Sequence, residues 1–237
     1  MNKQLTILGG YSTGNWSTPD PSTNLTIIDG QSTYRGVFTW SGGPATSLRM
    51  EGFTIENGVA RGIPTWSGDD KIFGFGGGMF AISVQGITLK NMVFENNKSV
   101  GENTSSSYGG AGSGGGLALR RVTNATLEHI SFEGNEARGG TGQDRGGYGI
   151  GGGLYTYRSV VSGRYITFSN NIATGGSTAG SGRAADGQRA DAFGAGASIQ
   201  HYCDVTLQYV SATGNQTIGR RKRQHVCRRR FRGCTEG

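Results

Sequence analysis

The sequence predicts an all-β protein, a right-handed single-stranded parallel β-helix in which short strands wind around one axis and stack. Three observations predict it. A Gly triplet followed by apolar residues recurs as Gly76-Gly77-Gly78-Met79, Gly114-Gly115-Gly116-Leu117 and Gly151-Gly152-Gly153-Leu154, with Gly194-Ala195-Gly196-Ala197 as a degenerate copy. A Phe-x-x-Asn motif recurs as Phe94…Asn97, Phe132…Asn135 and Phe168…Asn171, with Ala212…Asn215 degenerate and Ile55-Glu56-Asn57-Gly58 a looser early copy. From the first Gly to the Phe position the separations are 18, 18, 17 and 18 residues, whereas from Phe to the next triplet they are 20, 19 and 26. A constant spacing marks packed structure, and a variable one marks a loop that tolerates insertion.

The constant half holds three short apolar runs. In one repeat they are Met79–Ile82, Ile87–Leu89 and Met92–Phe94; in the next, Leu117–Leu119, Ala125–Leu127 and Ile130–Phe132. Each is of strand length, bounded by Gly, Asn or a charge, and none has helical spacing. Three strands per turn with tight corners gives about five to seven coils for this length, with insertions on one face. The Phe positions are expected to stack inside the coil. The Asn positions (Asn97, Asn135, Asn171, Asn215) are expected at a corner, taking up its left-handed backbone and bonding along the axis through their amides. The Gly triplet then supplies positive φ or close backbone approach.

Composition narrows the class. Gly is abundant at 45 residues and Pro rare at 4, and without a three-residue period this is not collagen. The 34% apolar content is low for a globule but workable for a solenoid, whose repeats need cover only their neighbours. The net charge of +7 belongs to residues 220–237, where Arg220, Arg221, Lys222, Arg223, Arg228, Arg229, Arg230 and Arg232 face only Glu236. The remaining 15 basic and 15 acidic residues cancel. The chain thus divides into a β-helix, 1–219, and a basic tail, 220–237. That tail has one aromatic, Phe231, and no stacking platform, so no specific nucleic-acid partner is expected. Cys227 and Cys234 fit no metal spacing, and their pairing is left open. No apolar run is long enough to span a membrane. Met1–Gly9 has no stretch adequate for a signal peptide, so the chain is expected either to use another route or to be a segment of a longer one.

The Gly-Gly-x-apolar and Phe-x-x-Asn repeats resemble those of the polymorphic outer-membrane proteins, a family of autotransporter adhesins, and bacterial surface β-helices more widely. Leu8-Gly9-Gly10-Tyr11, Pro19-Asp20-Pro21, Asn24-Leu25-Thr26-Ile27-Ile28-Asp29-Gly30 and Gly52-Phe53-Thr54-Ile55-Glu56-Asn57-Gly58 are similar to their opening coils. The resemblance covers roughly residues 5–218. It implies a pectate-lyase-like solenoid, an extracellular or cell-surface location, and adhesion to a polysaccharide or a surface protein. Uncapped ends of such a stack are expected to self-associate.

No catalytic motif identifies an enzyme. Polysaccharide lyase or glycoside hydrolase chemistry needs carboxylates converging across a site. Asp69-Asp70 are adjacent in sequence and read as a solvated turn. Asp144 with Arg145, and Asp186, Arg189 and Asp191, lie in variable segments and read as surface ion pairs. Ca²⁺ is the one ion they would suit, but six to eight oxygens are not evident, so no cofactor or metal site is assigned. His129, between Leu127 and Ile130, reads as an outward-facing or satisfied strand residue, and His201 likewise. The Gly-rich runs lack the helix and Lys-Ser/Thr of a phosphate cradle. What remains is the loop face: residues 59–75, 98–113, 136–150 and 172–193 should leave the same corner of successive coils. They carry Trp66, Phe73, Phe75, Tyr108, Tyr148 and Phe193 with Arg61, Arg138, Arg145, Arg183 and Arg189. Such rings among polar neighbours suit sugar or protein recognition. The first expectation is therefore a non-enzymatic binding module acting through these loops. The alternatives are a lyase or hydrolase in the same groove, or a structural spacer.

Overall fold

The computed structural model describes residues 3–41, 46–62, 74–105, 108–179 and 190–219. Trp66, Asp69, Asp70, Phe73, Arg183, Asp186, Arg189, Cys227, Cys234 and the whole basic tail lie outside them. Strands and turns make up the described chain, and no helix occurs among the described residues.

The first strands are β1 (Lys3–Leu8), β2 (Ile27–Asp29), β3 (Val37–Trp40), β4 (Thr46–Glu51), β5 (Thr54–Glu56) and β6 (Val59–Arg61). From there one pattern repeats. It begins with β7 (Gly74–Phe75), β8 (Met79–Ile82), β9 (Gly86–Glu95) and β10 (Lys98–Val100). It returns as β11 (Gly112–Ser113), β12 (Leu117–Arg120), β13 (Asn124–Glu133) and β14 (Glu136–Arg138). The next round is β15 (Gly149–Ile150), β16 (Leu154–Tyr157), β17 (Val160–Ser169) and β18 (Ile172–Thr174), and the last is β19 (Ala192–Phe193), β20 (Ala197–Gln200), β21 (Asp204–Thr213) and β22 (Gln216–Ile218). Each strand pairs in parallel with its counterpart in the neighbouring rounds. The result is four parallel sheets, the largest ordered β1-β4-β9-β13-β17-β21, with β2 and β5 joined to β9. Stacked parallel sheets of this kind are the build of a β-helical solenoid.

The corners explain the periodicity. Four positions per round have left-handed backbone, and each lines up with its equivalents. One column is Gly76, Gly114, Gly151 and Gly194; a second is Ser83, Arg121, Arg158 and His201; a third is Gly52, Asn91, His129, Tyr165 and Tyr209; a fourth is Asn57, Asn96, Gly134, Asn170 and Gly214. The third column corrects one expectation. Ile87–Leu89 and Met92–Phe94 are not separate strands but one ten-residue ladder, β9, bent at Asn91. The segments read as loops, 59–75, 98–113, 136–150 and 172–193, hold short strands as well. Each opens with a three-residue strand (β6, β10, β14, β18) and closes with a two-residue one (β7, β11, β15, β19).

Inside the coil, Phe94, Phe132 and Phe168 stack at 5.1 Å between successive centroids, with Ile55 below Phe94 and Ala212 beyond Phe168. Beside them runs a buried amide ladder. Asn97 Nδ2 donates to Asn135 Oδ1 at 3.1 Å, Asn135 Nδ2 to Asn171 Oδ1 at 3.0 Å, and Asn171 Nδ2 to Asn215 Oδ1 at 2.9 Å. The same amide groups donate backward to the carbonyls of Ile55, Phe94 and Phe132. These Asn do not occupy the left-handed positions; the residue before each does (Asn96, Gly134, Asn170, Gly214). The physical reason is that a ladder Asn must point inward, while a left-handed corner residue is turned outward.

The Gly triplet packs against this ladder. At Gly115 a Cβ would meet the Gly152 carbonyl oxygen at 2.4 Å and that of Glu136 at 2.5 Å, and at Gly116 it would meet the Phe132 ring at 2.9 Å. Triplet and Phe-x-x-Asn therefore recur together because they touch.

Outside β8, β12 and β16 a second apolar layer forms. Phe80, Ile82, Ala118 and Tyr155 point away from the interior and are covered by Phe75, Ala111 and Ile150, with Tyr148, Tyr157 and Phe193 packed alongside. The sheet is thus buried on both faces, which is why Met79–Ile82 is a continuous apolar run rather than an alternating one.

Candidate functional site

The loop face is partly a wall. Tyr148 and Phe193 are half-buried and tilt against each other at 5.7 Å over the outer apolar layer. Arg145 lies over the Tyr148 ring at 4.8 Å and pairs with Asp191 at 3.5 Å. Tyr108 bridges to Arg145 through backbone and is exposed. The structure therefore brings Tyr108, Arg145, Tyr148, Asp191 and Phe193 together, but as a shield whose one described carboxylate–arginine contact is an ion pair. Asp144 is exposed beside them, and Arg138 is exposed on β14. No group of three or more His, Cys, Asp or Glu side chains among the described residues is placed to hold a metal ion.

A different corner gathers exposed rings. His129, Tyr165 and Tyr209 occupy equivalent left-handed positions in β13, β17 and β21. At such a residue the side chain leaves the sheet outward. His129 and Tyr165 stack at 4.6 Å with 7° between planes, and Tyr165 and Tyr209 at 4.8 Å with 10°. The centroid spacing equals the strand-to-strand step of a sheet, about 4.8 Å, so the ladder itself sets the stack. Asn91 continues the column and donates to Glu51 Oε1. Left-handed backbone is uncommon for aromatic residues and is stored where surrounding structure over-determines it.

This column forms one wall of an open concavity of about 650 Å³. Its floor is the outer face of the second halves of β9, β13 and β17, which carries Val93, Ser131 and Thr167. Asp20, Pro21 and Ser22, from the long connection between β1 and β2, close one end. Asp20 accepts from the Ser22 hydroxyl and from its backbone N–H, and these bonds hold its carboxyl below the ordinary 3.8. Ser131 donates to Glu133 at 2.6 Å. The groove thus offers ring edges with phenol hydroxyls at regular steps, the outer face of Tyr209 that no described ring covers, hydroxyls on the floor and a fixed carboxylate at the end. Rings carrying polar tips, with convergent hydroxyls and a carboxylate, can hold a polyol by hydrogen bonds and apolar contact.

No family model, no curated protein and no solved structure matches the chain.

Tyr165, Tyr209 and Asn91 were not singled out from the sequence, and His129 was read only as a strand residue. The signal was present: 91, 129, 165 and 209 each lie three residues before the Phe position of their repeat. What hid it was the ladder bend, since a period-two reading has no place for a residue that turns out mid-strand.

Proposed function

We propose that this chain is a non-enzymatic, extracellular or cell-surface β-helix module that binds glycan along the corner groove of His129, Tyr165 and Tyr209. In this reading the solenoid is right-handed, with about five to seven coils, as strand crossovers between parallel strands almost always are right-handed. The observation that carries the reading is the exposed ring column itself. Three half-open aromatic or imidazole rings in strained backbone, at the lip of a polar groove, have no packing role that smaller residues would not fill. The loop face keeps a secondary part through exposed Tyr108. Self-association through end strands also belongs to the reading, since β1 and β21 are the edges of the largest sheet. A lyase or hydrolase finds less support, because Asp191 is engaged by Arg145 and Asp144 stands exposed at the surface.

The test is a glycan binding and degradation screen on the full chain. Binding of a neutral or acidic oligosaccharide without product release is the expected result. Product release would put the enzyme reading in its place, and no binding to any glycan would leave the spacer reading.

A further inference from the structure

The second left-handed column presents different chemistry. Arg121 and Arg158 are equivalent residues of successive rounds, linked by the Arg121 N–H donating to the Tyr157 carbonyl at 2.9 Å; His201 follows, its carbonyl accepting from the Arg158 N–H at 3.0 Å. The Arg158 guanidinium lies 5.3 Å from the Tyr157 ring centre and 5.8 Å from that of Tyr202, so it sits between two rings. Tyr157 also meets His201 at 5.3 Å and carries the Arg120 guanidinium at 5.4 Å. Arg121, Arg158, His201 and Tyr202 are all exposed.

The ladder beside it carries matched charges. Glu51, Lys90, Glu128 and Arg164 alternate in sign up the neighbouring ladder, with Arg164 2.6 Å from Glu128 and Lys90 3.9 Å from Glu51. Among the described residues, neither Arg121 nor Arg158 forms an ion pair. Two arginines without an ion pair at one corner, Arg158 held against two rings, make a preorganised anion surface. A guanidinium held by its faces keeps its donor edge toward solvent, and that edge matches the two oxygens of a carboxylate or sulfate. The steps between these residues follow the coil repeat, about 4.8 Å, so the charges run in a line along the axis.

We propose that the Arg121–Arg158–His201 corner binds an acidic polysaccharide, lying along the solenoid axis with its carboxylate or sulfate groups on the two guanidinium edges. The choice of a saccharide over another polyanion rests on the glycan reading; the anion site itself does not. Flanking rings of Tyr157 and Tyr202 supply the apolar contact that a sugar ring uses and a bare anion does not.

The experiment is titration calorimetry of the full chain at physiological salt with alginate oligomers, heparin oligomers, neutral dextran oligomers and a duplex DNA of similar length. Three variants are compared: R121Q/R158Q; R228Q/R229Q/R230Q in the basic tail; and Y165N/Y209N in the other groove. Folding is checked by circular dichroism and thermal midpoint. The expected result is binding of one acidic oligomer over dextran, weakened about tenfold or more by R121Q/R158Q and unchanged in the tail variant. Preference for alginate or for heparin assigns the carboxylate or the sulfate. Loss in the tail variant with none in R121Q/R158Q overturns the proposal, as does DNA binding as tight as the saccharide, or no acidic oligomer bound at all. If R121Q/R158Q lose binding while Y165N/Y209N leave every glycan unaffected, this site stands and the ring-column reading falls.

Discussion

Removing one rung of the asparagine ladder has an effect that can be worked out from its bonds. Asn135 is fully buried and its side chain makes four hydrogen bonds: its Oδ1 accepts from the Asn97 backbone N–H at 3.0 Å and Asn97 Nδ2 at 3.1 Å, and its Nδ2 donates to the Phe94 carbonyl at 2.8 Å and Asn171 Oδ1 at 3.0 Å. Each is worth about 1 kcal/mol net, and the partners left behind are buried where water cannot reach them, so Asn135→Ala should cost about 3–5 kcal/mol. Asn215 sits at the last rung and is only part-buried; it makes three such bonds, to Asn171 N–H, Asn171 Nδ2 and the Phe168 carbonyl. Water can replace these, so Asn215→Ala should cost only about 1–2 kcal/mol. Equilibrium urea unfolding by far-ultraviolet circular dichroism measures both, with the slope m required to stay constant. Equal losses at the two rungs, or a loss under about 1 kcal/mol at Asn135, would refute the reasoning.

Other consequences follow from single contacts. Phe132, stacked between Phe94 and Phe168 and fully buried, should cost about 3–5 kcal/mol as Phe132→Ala in the same urea assay. Thr156 buries its hydroxyl with no hydrogen-bond partner among the described residues, so Thr156→Val should raise the urea midpoint, a gain of about 1 kcal/mol; a lower midpoint would count against it. Arg164 bonds the Glu128 carboxylate and holds its pKa below the ordinary 4.5. A depressed carboxyl pKa contributes stability that is complete above the ordinary value and is lost as pH falls through the folded one. Thermal midpoints measured from pH 7 down to 3 should therefore fall less steeply for Arg164→Gln than for the parent chain.

Much of this architecture is written in the residues, and what escaped has physical causes. The Phe-x-x-Asn spacing is visible because those side chains must meet every round in a closed interior, where one residue more or less would break the ladder. The short strands at Lys98–Val100 and Gly112–Ser113 were not visible, because runs of three and two residues are too short to show a side-chain period. Exposed Trp, Tyr and Arg in variable segments drew attention as a binding face, yet Tyr148 and Phe193 are spent on covering β8, β12 and β16. The ring column at His129, Tyr165 and Tyr209 was obscured by its backbone. Side-chain alternation predicts one face per strand, whereas a left-handed residue in mid-ladder turns the chain and starts a new face.

The most direct test of the central claim is the affinity of Tyr165→Asn/Tyr209→Asn for the glycan that the screen selects. Asn is the residue this column itself uses at position 91, with φ of 50°, so the exchange removes the rings and keeps the corner. Isothermal titration should show binding weakened about tenfold or more, with the thermal midpoint close to that of the parent. Unchanged affinity in a folded double variant would contradict the claim that this corner is where the protein meets its ligand.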